Sequence, residues 1–159
     1  MKVFYKNAIV FFLFSMFIFF SCSEKKEIHS DQEDLTPSGK LYSEVMDVHD
    51  NVMPKMDEIM LLKGKAKRRL NELDSLTKVN PKLNVKVEKL KLDSLLMGLQ
   101  TADNGMMNWM HHFDPNMKEM KEGKKVKYLE REKIKITEVK QKTDSILEKA
   151  KSIFPETLD

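Results

Sequence analysis

Residues 42–73 read YSEVMDVHDNVMPKMDEIMLLKGKAKRRLNEL, and the spacing of their apolar side chains decides the fold. Apolar positions recur at alternating intervals of three and four residues, the repeat expected of a helix that buries one face. The positions on this face are Tyr42, Val45, His49, Val52, Met56, Ile59, Ala66, Leu70 and Leu73. Pro54 interrupts the pattern without a backbone N–H to donate, so it predicts a kink in this helix.

Two later stretches repeat the pattern and predict a second and a third helix. Their apolar positions are Leu92, Leu95, Leu99, Ala102, Met106, Trp109 and Phe113, and then Leu129, Ile136, Val139, Ile146, Ala150 and Ile153. Short breaks at Asn80-Pro81 and Asp114-Pro115 separate the three helices, and short connections favour antiparallel neighbours.

The sequence therefore predicts an all-α fold, an antiparallel three-helix bundle with coiled-coil-like packing, over residues 39–155. Its helices are expected at about 39–77, 85–113 and 119–154. A dimer of helices uses the same repeat, so self-association is an open alternative.

The N-terminal segment has a different composition from the rest of the chain. Residues 1–21 contain seven of the nine phenylalanines, two lysines and no acid. Their apolar run, 8–20, is shorter than the roughly 20 residues of a membrane-spanning helix. This pattern predicts a signal peptide over 1–21. The polar, charged residues that follow predict a flexible tether over 22–38.

Cys22 is the only cysteine, which excludes an intramolecular disulfide and a zinc site built on cysteines. It follows Ser21 at the end of the apolar run and resembles the lipobox of bacterial lipoproteins, although Phe19 stands where leucine is usual. The resemblance implies cleavage before Cys22, lipidation of that residue and, with Ser23 next, delivery to the outer membrane. An ordinary signal peptide with a free cysteine is the alternative.

Methionine and histidine converge at one end of the predicted bundle. Folding the second helix back near Pro81 sets His49 opposite Phe113 and Met53 opposite Trp109. Thioether and imidazole groups suit Cu(I) or Ag(I), which are soft ions. The candidate metal ligands are His49, Met53, Met56, Met106, Met110 and His112.

A second interpretation of this cluster needs no metal. Methionine fills irregular space around a kink, and a methionine-rich groove also accepts a partner's apolar helix. The candidate partner-binding residues are Met46, Met60, Met107, Trp109 and His111.

Enzymatic motifs are absent from the sequence. It has no phosphate-binding loop, no G-x-S-x-G and no H-E-x-x-H. His49 and Asp50 are neighbours and are expected to point about 100° apart on a helix, which argues against a catalytic dyad. The basic run 63–69 is typical of a solvated helix face, and anionic lipid or envelope polysaccharide is its alternative partner. We therefore expect no enzyme, and no nucleic acid partner for an exported chain.

Two stretches, 48–59 (VHDNVMPKMDEI) and 102–113 (ADNGMMNWMHHF), resemble a family of small uncharacterised bacterial lipoproteins. Some of its members carry the label "viral A-type inclusion protein". The resemblance implies a lipid-anchored helical protein and supplies no activity. The prediction is a lipid-anchored protein of the bacterial cell envelope with a structural or interaction role. The alternative is a Cu(I)/Ag(I) carrier or sensor.

Overall fold

A computed structural model of the chain describes residues 36–155. The described residues are 84% helical and contain no strand. The helices are α1 (Pro37–Val52), α2 (Lys55–Val79), α3 (Lys86–His112) and α4 (Glu122–Ile153). Because α1 and α2 form one helix bent by 32°, three helices pack against each other, and the predicted all-α bundle is confirmed. The predicted signal peptide, the lipidation site Cys22 and the tether up to residue 35 lie outside the described residues.

The bend lies at Met53-Pro54, as the sequence predicts. Met53 N donates to His49 O at 2.9 Å and closes α1, and Met56 N donates to Met53 O at 3.0 Å as α2 begins. Pro54 has no N–H to continue the α-helical ladder, so the chain makes a tight turn before it resumes.

The bend changes the neighbour of the first helix. α1 packs mainly along α4, whereas α2 packs mainly along α3, and α3 and α4 pack along each other. Ion pairs join these partners: Lys133 Nζ lies 2.6 Å from Glu44 Oε2, and Lys63 Nζ lies 2.6 Å from Asp103 Oδ2. Ser38 and then Glu44 of α1 meet Glu122 and then Lys133 of α4, so α1 and α4 run parallel. The short turn between Val79 and Lys86 makes α2 and α3 antiparallel.

The core has two parts of different composition. The leucine half comprises Ile59, Leu62, Ala66, Leu73, Leu92, Leu95, Leu99, Ala102, Ile146, Leu147 and Ala150. The aromatic half comprises Val45, Val52, Met106, Trp109, Met117, Leu129 and Ile136, with Tyr42, Phe113 and Tyr128 packed against it. Met56 contacts both halves and marks the boundary beside the bend.

The first and last helices begin together at one end of the bundle. Thr36 caps α1 by accepting a hydrogen bond from Gly39 N at 2.9 Å. Ser38 donates its N–H and hydroxyl to the two carboxylate oxygens of Glu122, at 2.9 and 2.8 Å. One carboxylate therefore lies at the N-termini of both α1 and α4, where negative charge is favourable.

Two predicted boundaries need correction at this end. Pro37 and Ser38, assigned to the tether, are the first residues of α1. The last helix begins at Glu122 instead of residue 119, because Met117 has a positive φ of 45° and Met120 N donates to Met117 O at 3.0 Å. This turn occupies the residues expected to start the helix.

Gly98 of α3 fixes how α3 and α4 fit together. A Cβ at Gly98 would lie 2.3 Å from Ile146 Cδ1 and 2.9 Å from its Cγ1, so any side chain at this position requires Ile146 to shift. Gly105, on the same helix, has only Val139 Cγ2 near it, at an ordinary 3.8 Å. Within residues 36–155, no helix is long and apolar enough to cross a membrane.

Candidate functional site

A row of aromatic rings fills the space between α1, α3 and α4 beside the bend. Trp109 stacks on Phe113 with ring centroids 4.7 Å apart, and Tyr42 and Tyr128 each lie 6.1 Å from Phe113. Tyr128 Oη accepts a hydrogen bond from Asp114 N at 2.7 Å, and burial raises the pKa of Tyr128. The row ties the end of α3 to the start of α4.

His49 extends the row, but not opposite the residue that the sequence predicts. Its ring lies 5.6 Å from Trp109, and Phe113 instead faces Tyr42. The prediction of His49 against Phe113 is therefore wrong by about one helical turn. The bend tilts α1 away from α3, so the pairing set by the turn near Pro81 does not continue past it.

His49 and Asp50 are hydrogen-bonded, contrary to the expected separation of their side chains. Nδ1 of His49 lies 2.7 Å from Oδ1 of Asp50, and the histidine side chain is 18% exposed. An ionised carboxylate only accepts hydrogen bonds, so Nδ1 of His49 is the donor in this contact and Nε2 is the ring nitrogen that points away from Asp50. Two rotatable side chains bridge the angle between neighbouring positions. This arrangement orients the imidazole.

The methionines near the bend divide into an inner and an outer group. Met106 and Met117 are buried in the aromatic half, and Met56 and Met120 pack against it. The outer group is exposed and comprises Met53, Met60, Met107 and Met110. Met46 is half-buried on α1.

Met60 and Met107 of the outer group lie on one surface of α2 and α3, which we call the methionine face. The ion pair between Lys63 and Asp103 shows which sides of α2 and α3 meet. Met60 precedes Lys63 by three residues and Met107 follows Asp103 by four, so both lie one turn from this pair in the same direction. Met53 and Met110 lie nearer the bend, and each is 36% exposed.

His111 and His112 lie apart from the predicted metal ligands inside the bundle. Both are exposed, and His112 Nδ1 is 2.8 Å from Asn108 O of its own helix. Met106 is fully buried and lies about 120° around α3 from His112. The predicted six-ligand set is therefore split, with His49, Met53 and Met56 together at the bend and His112 elsewhere. In the described chain no three His, Cys, Asp or Glu side chains are grouped to hold a metal ion.

Asp144 of α4 forms ion pairs on the bundle surface beside the bend. Its carboxylate pairs with Lys55 at 2.6 Å and with Lys140 at 2.6 Å, and the hydrogen bonds from Lys140 and then Lys55 lower the pKa of Asp144. Lys55 is the first residue of α2, so this bridge fixes the start of α2 on α4. The site beside the bend is thus built on supported backbone.

Sequence reasoning missed two features of the site. Asp50 orients His49, and Tyr42 and Tyr128 complete the aromatic row. The aromatic positions carried a usable signal, because four of the five aromatic residues in 36–155 lie towards the ends of the helices that meet beside the bend. A hydrogen bond between neighbours on a helix carries no periodic signal.

Comparison of the chain with protein-family models, with curated proteins and with solved structures gave no match. The likeness to bacterial lipoproteins therefore stays a prediction from the quoted stretches.

Proposed function

We propose that this chain is a lipid-anchored protein of the bacterial cell envelope, held in the outer membrane through Cys22, and that it binds a protein partner through the methionine face. The observation that carries the binding role is the exposure of this face. Met60 is 66% exposed and Met107 is 58% exposed, on adjoining turns of α2 and α3. The ion pair between Lys63 and Asp103, one turn away, joins the two helices that carry the face.

Methionine suits such a surface chemically. Its side chain is unbranched and polarizable, so it adapts to partners of different shape and offers apolar area without a fixed outline. The bend also shapes this surface, because α1 leans towards α4 and leaves the end of α3 uncovered beside Met110. An apolar helix lying along this face is the partner geometry that it fits best.

Site-specific photocrosslinking tests the partner role in intact cells. A photoreactive residue at Met60 or Met107 of the full-length protein should give one discrete adduct, while the same residue at Met97 should give none. Met97 is the matched control, because it is 70% exposed on a different part of α3. An adduct of twice the chain mass identifies a second copy as the partner. Equal adducts at all three positions would contradict a specific face.

The anchor has a separate test. Cys22→Ala in the full-length chain should abolish lipid labelling and release the protein from the outer-membrane fraction. Ser21→Ala is the control and should leave both unchanged, because alanine is also a small residue. Membrane retention of Cys22→Ala would contradict lipid anchoring.

One observation favours a second function, binding of Cu(I) or Ag(I). The Asp50 carboxylate fixes the His49 imidazole with Nε2 pointing away from Asp50, as carboxylates do for metal-ligating histidines. Met53 is one turn further along the helix and Met56 lies beside it across the bend, so thioether and imidazole ligands meet at one place.

Anaerobic Cu(I) titration of the fragment 23–159 against a chromophoric competitor tests this function. We expect one tightly bound ion, and loss of that ion in His49→Ala with Met53→Leu. The control pair, His111→Ala with Met97→Leu, removes the same chemical groups elsewhere and should bind like the wild type. Failure to compete, or equal loss in both pairs, would exclude the site.

A further inference from the structure

The hairpin formed by α2 and α3 projects beyond the end of α4. The first and last helices begin at the same end of the bundle, where Ser38 contacts Glu122. At the other end α4 stops at Ile153, and Phe154 is the residue that follows it. These two residues line a cleft of 660 Å³ together with Arg69 and Leu92. Since α2 continues from Arg69 to Val79, a two-helix projection extends about 15 Å past the third helix.

Exposed aliphatic residues collect on this projection. They are Leu76, Val79, Leu83, Val87 and Leu90, five of the twelve large apolar residues exposed in the described chain. Val79 is 87% exposed and Val87 is 63% exposed. Two helices without a third cannot cover all sides of their apolar positions, which explains the exposure. We call these five residues the apolar tip.

The turn that carries the tip is folded by its own hydrogen bonds. Asn80 N donates to Leu76 O at 2.8 Å, and Leu83 N donates to Asn80 O at 3.1 Å. The Asn80 side chain accepts from Lys82 N at 3.2 Å, and the Asn84 side chain accepts from Lys86 N at 3.3 Å. Backbone groups paired in this way enter an apolar environment at a lower cost than free ones.

Positive charge surrounds the apolar tip. Residues 76–91 contain five lysines and one glutamate. The ammonium groups of Lys78, Lys82 and Lys86 form no ion pair within residues 36–155. The nearest acids are occupied, since Asp74 pairs with Lys89 and Glu88 pairs with Arg69 at 2.7 Å. The end of the hairpin therefore presents lysines and aliphatic side chains together.

We propose that the apolar tip binds the surface of an anionic lipid bilayer, inserting Val79, Leu83 and Val87 between the headgroups while Lys78, Lys82 and Lys86 contact lipid phosphates. The depth fits this use. All five tip residues lie within about 6 Å of the hairpin end along the helix axes, and interfacial segments bury their apolar face by about 5–10 Å. Each lysine near such a surface adds electrostatic attraction that falls off within a Debye length.

The same charges argue against a second copy of the chain as the occupant. Two tips docked end to end would bring their unpaired lysines together, and close like charges are unfavourable. An anionic bilayer instead supplies the opposite charge and an apolar layer in one surface. The tip lies at the far end of the bundle from Thr36, roughly 60 Å away along α1 and α2, and it shares no residue with the methionine face.

Vesicle sedimentation of the fragment 23–159 tests the proposal without the lipid anchor. This fragment contains all the described residues, 36–155, and their four helices bury a core of their own. We expect it to sediment with phosphatidylcholine–phosphatidylglycerol vesicles at low salt and to stay in solution with pure phosphatidylcholine. Since Cys22 is absent, the outcome does not depend on lipidation or on a partner.

Two variants and two matched controls assign the contact. Lys78→Gln with Lys82→Gln and Lys86→Gln should weaken binding by about 100-fold, whereas the same change at Lys118, Lys121 and Lys124 should weaken it much less. Val79→Ser with Leu83→Ser and Val87→Ser should weaken it at unchanged charge. The control, Leu61→Ser with Met97→Ser and Ile134→Ser, alters three exposed apolar residues on the sides of the bundle. Circular dichroism checks that each variant is folded.

Three results would overturn the proposal. The first is failure of the folded wild-type fragment to bind anionic vesicles. The second is an equal loss of binding in the tip variants and their controls, which means diffuse attraction by the whole positive surface. The third is concentration-dependent self-association that the tip variants abolish while vesicle binding stays intact, which means that the tip holds a second copy.

Discussion

The leucine half and the aromatic half of the bundle solve the same packing problem in different ways. In the leucine half α3 packs closely along both α2 and α4, and Gly98 lets Ile146 enter the surface of α3. In the aromatic half no Cα atom of α1 lies within 8 Å of a Cα atom of α3. The rings of Trp109 and Phe113 fill that wider gap.

The difference shows what the bend costs and how the sequence compensates for it. Moving α1 towards α4 opens space that aliphatic side chains would leave partly empty, and interiors are close-packed. Large rings and flexible methionines fill an irregular space better than leucine does. The composition of each half therefore follows from the geometry of the backbone around it.

Truncation of one core residue in each half tests this comparison with the largest expected effect. Leu99 and Met106 are both fully buried, in the leucine and the aromatic half respectively. We expect Leu99→Ala to cost about 4–5 kcal/mol of unfolding free energy and Met106→Ala about 2–3 kcal/mol, because the cavity near flexible side chains collapses further. Urea unfolding measures both, and equal costs would break the distinction between the halves.

The contact between Gly98 and Ile146 gives the next largest effect. Gly98→Ala should destabilise the fold by about 1–3 kcal/mol despite a better helix propensity, because the new Cβ overlaps Ile146. Gly105→Ala is the matched control and should stabilise by up to about 1 kcal/mol, since alanine favours the helix and nothing close opposes it. Adding Ile146→Val to Gly98→Ala should recover part of the loss. Thermal unfolding of the wild type and these three variants tests the close approach of α3 and α4.

Thr143 lies on α4 between Ile136 of the aromatic half and Ile146 of the leucine half, and it provides a further test of the comparison. It is fully buried, and its Oγ1 has no hydrogen-bond partner among the described residues. Thr143→Val keeps the shape and removes the unpaired hydroxyl, so we expect about 1 kcal/mol of added stability. Denaturant unfolding would contradict this if Thr143→Val proved less stable than the wild type.

The smallest effect is the pH dependence of the end where α1 and α4 begin. The backbone N–H and then the hydroxyl of Ser38 hold the pKa of Glu122 below its ordinary value of 4.5. A carboxyl whose pKa is lowered in the folded state stabilises the fold above its unfolded pKa, and this contribution is lost as the pH falls through the folded pKa. Glu122→Gln should therefore lower the melting temperature at neutral pH, and its deficit should shrink in acid.

Glu130→Gln is the control for this measurement, because Glu130 is exposed on the same helix and makes no ion pair within residues 36–155. Its melting curve should follow the wild type at every pH. A deficit of Glu122→Gln that stays constant down to acid pH would contradict the role of the ionised carboxylate.

The sequence predicts the helices and the bend well, because both depend on local rules. Apolar periodicity sets which residues face inwards, and Pro54 removes a donor at one defined place. The predicted helix ends differ from the observed ends by three residues at most. At the bend the main neighbour of the first helix changes from α4 to α3. This change depends on the tilt of whole helices, which periodicity does not encode.

The candidate site was predictable only in part for the same reason. Positions on the seam, such as Met56 and Met106, lie inside as expected. Met60 and Met107 lie beside the seam, and whether such positions are covered depends on how far α1 leans away. The late start of α4, after the positive φ at Met117, shortens the third helix by three residues, about 4.5 Å, and so adds only part of the two-helix projection.

The parallel arrangement of α1 and α4 has a mechanical consequence. A force applied at Thr36 along the axis of α1 acts in shear on the α1–α4 contact, including the bonds from Ser38 to Glu122 and the pair between Glu44 and Lys133. Shear strains many such bonds at once, whereas peeling breaks them one after another. We expect the bundle to unfold at a higher force when it is pulled between residue 36 and the end of α4 than when it is pulled between residue 36 and Asn84, which peels α3 away from its neighbours.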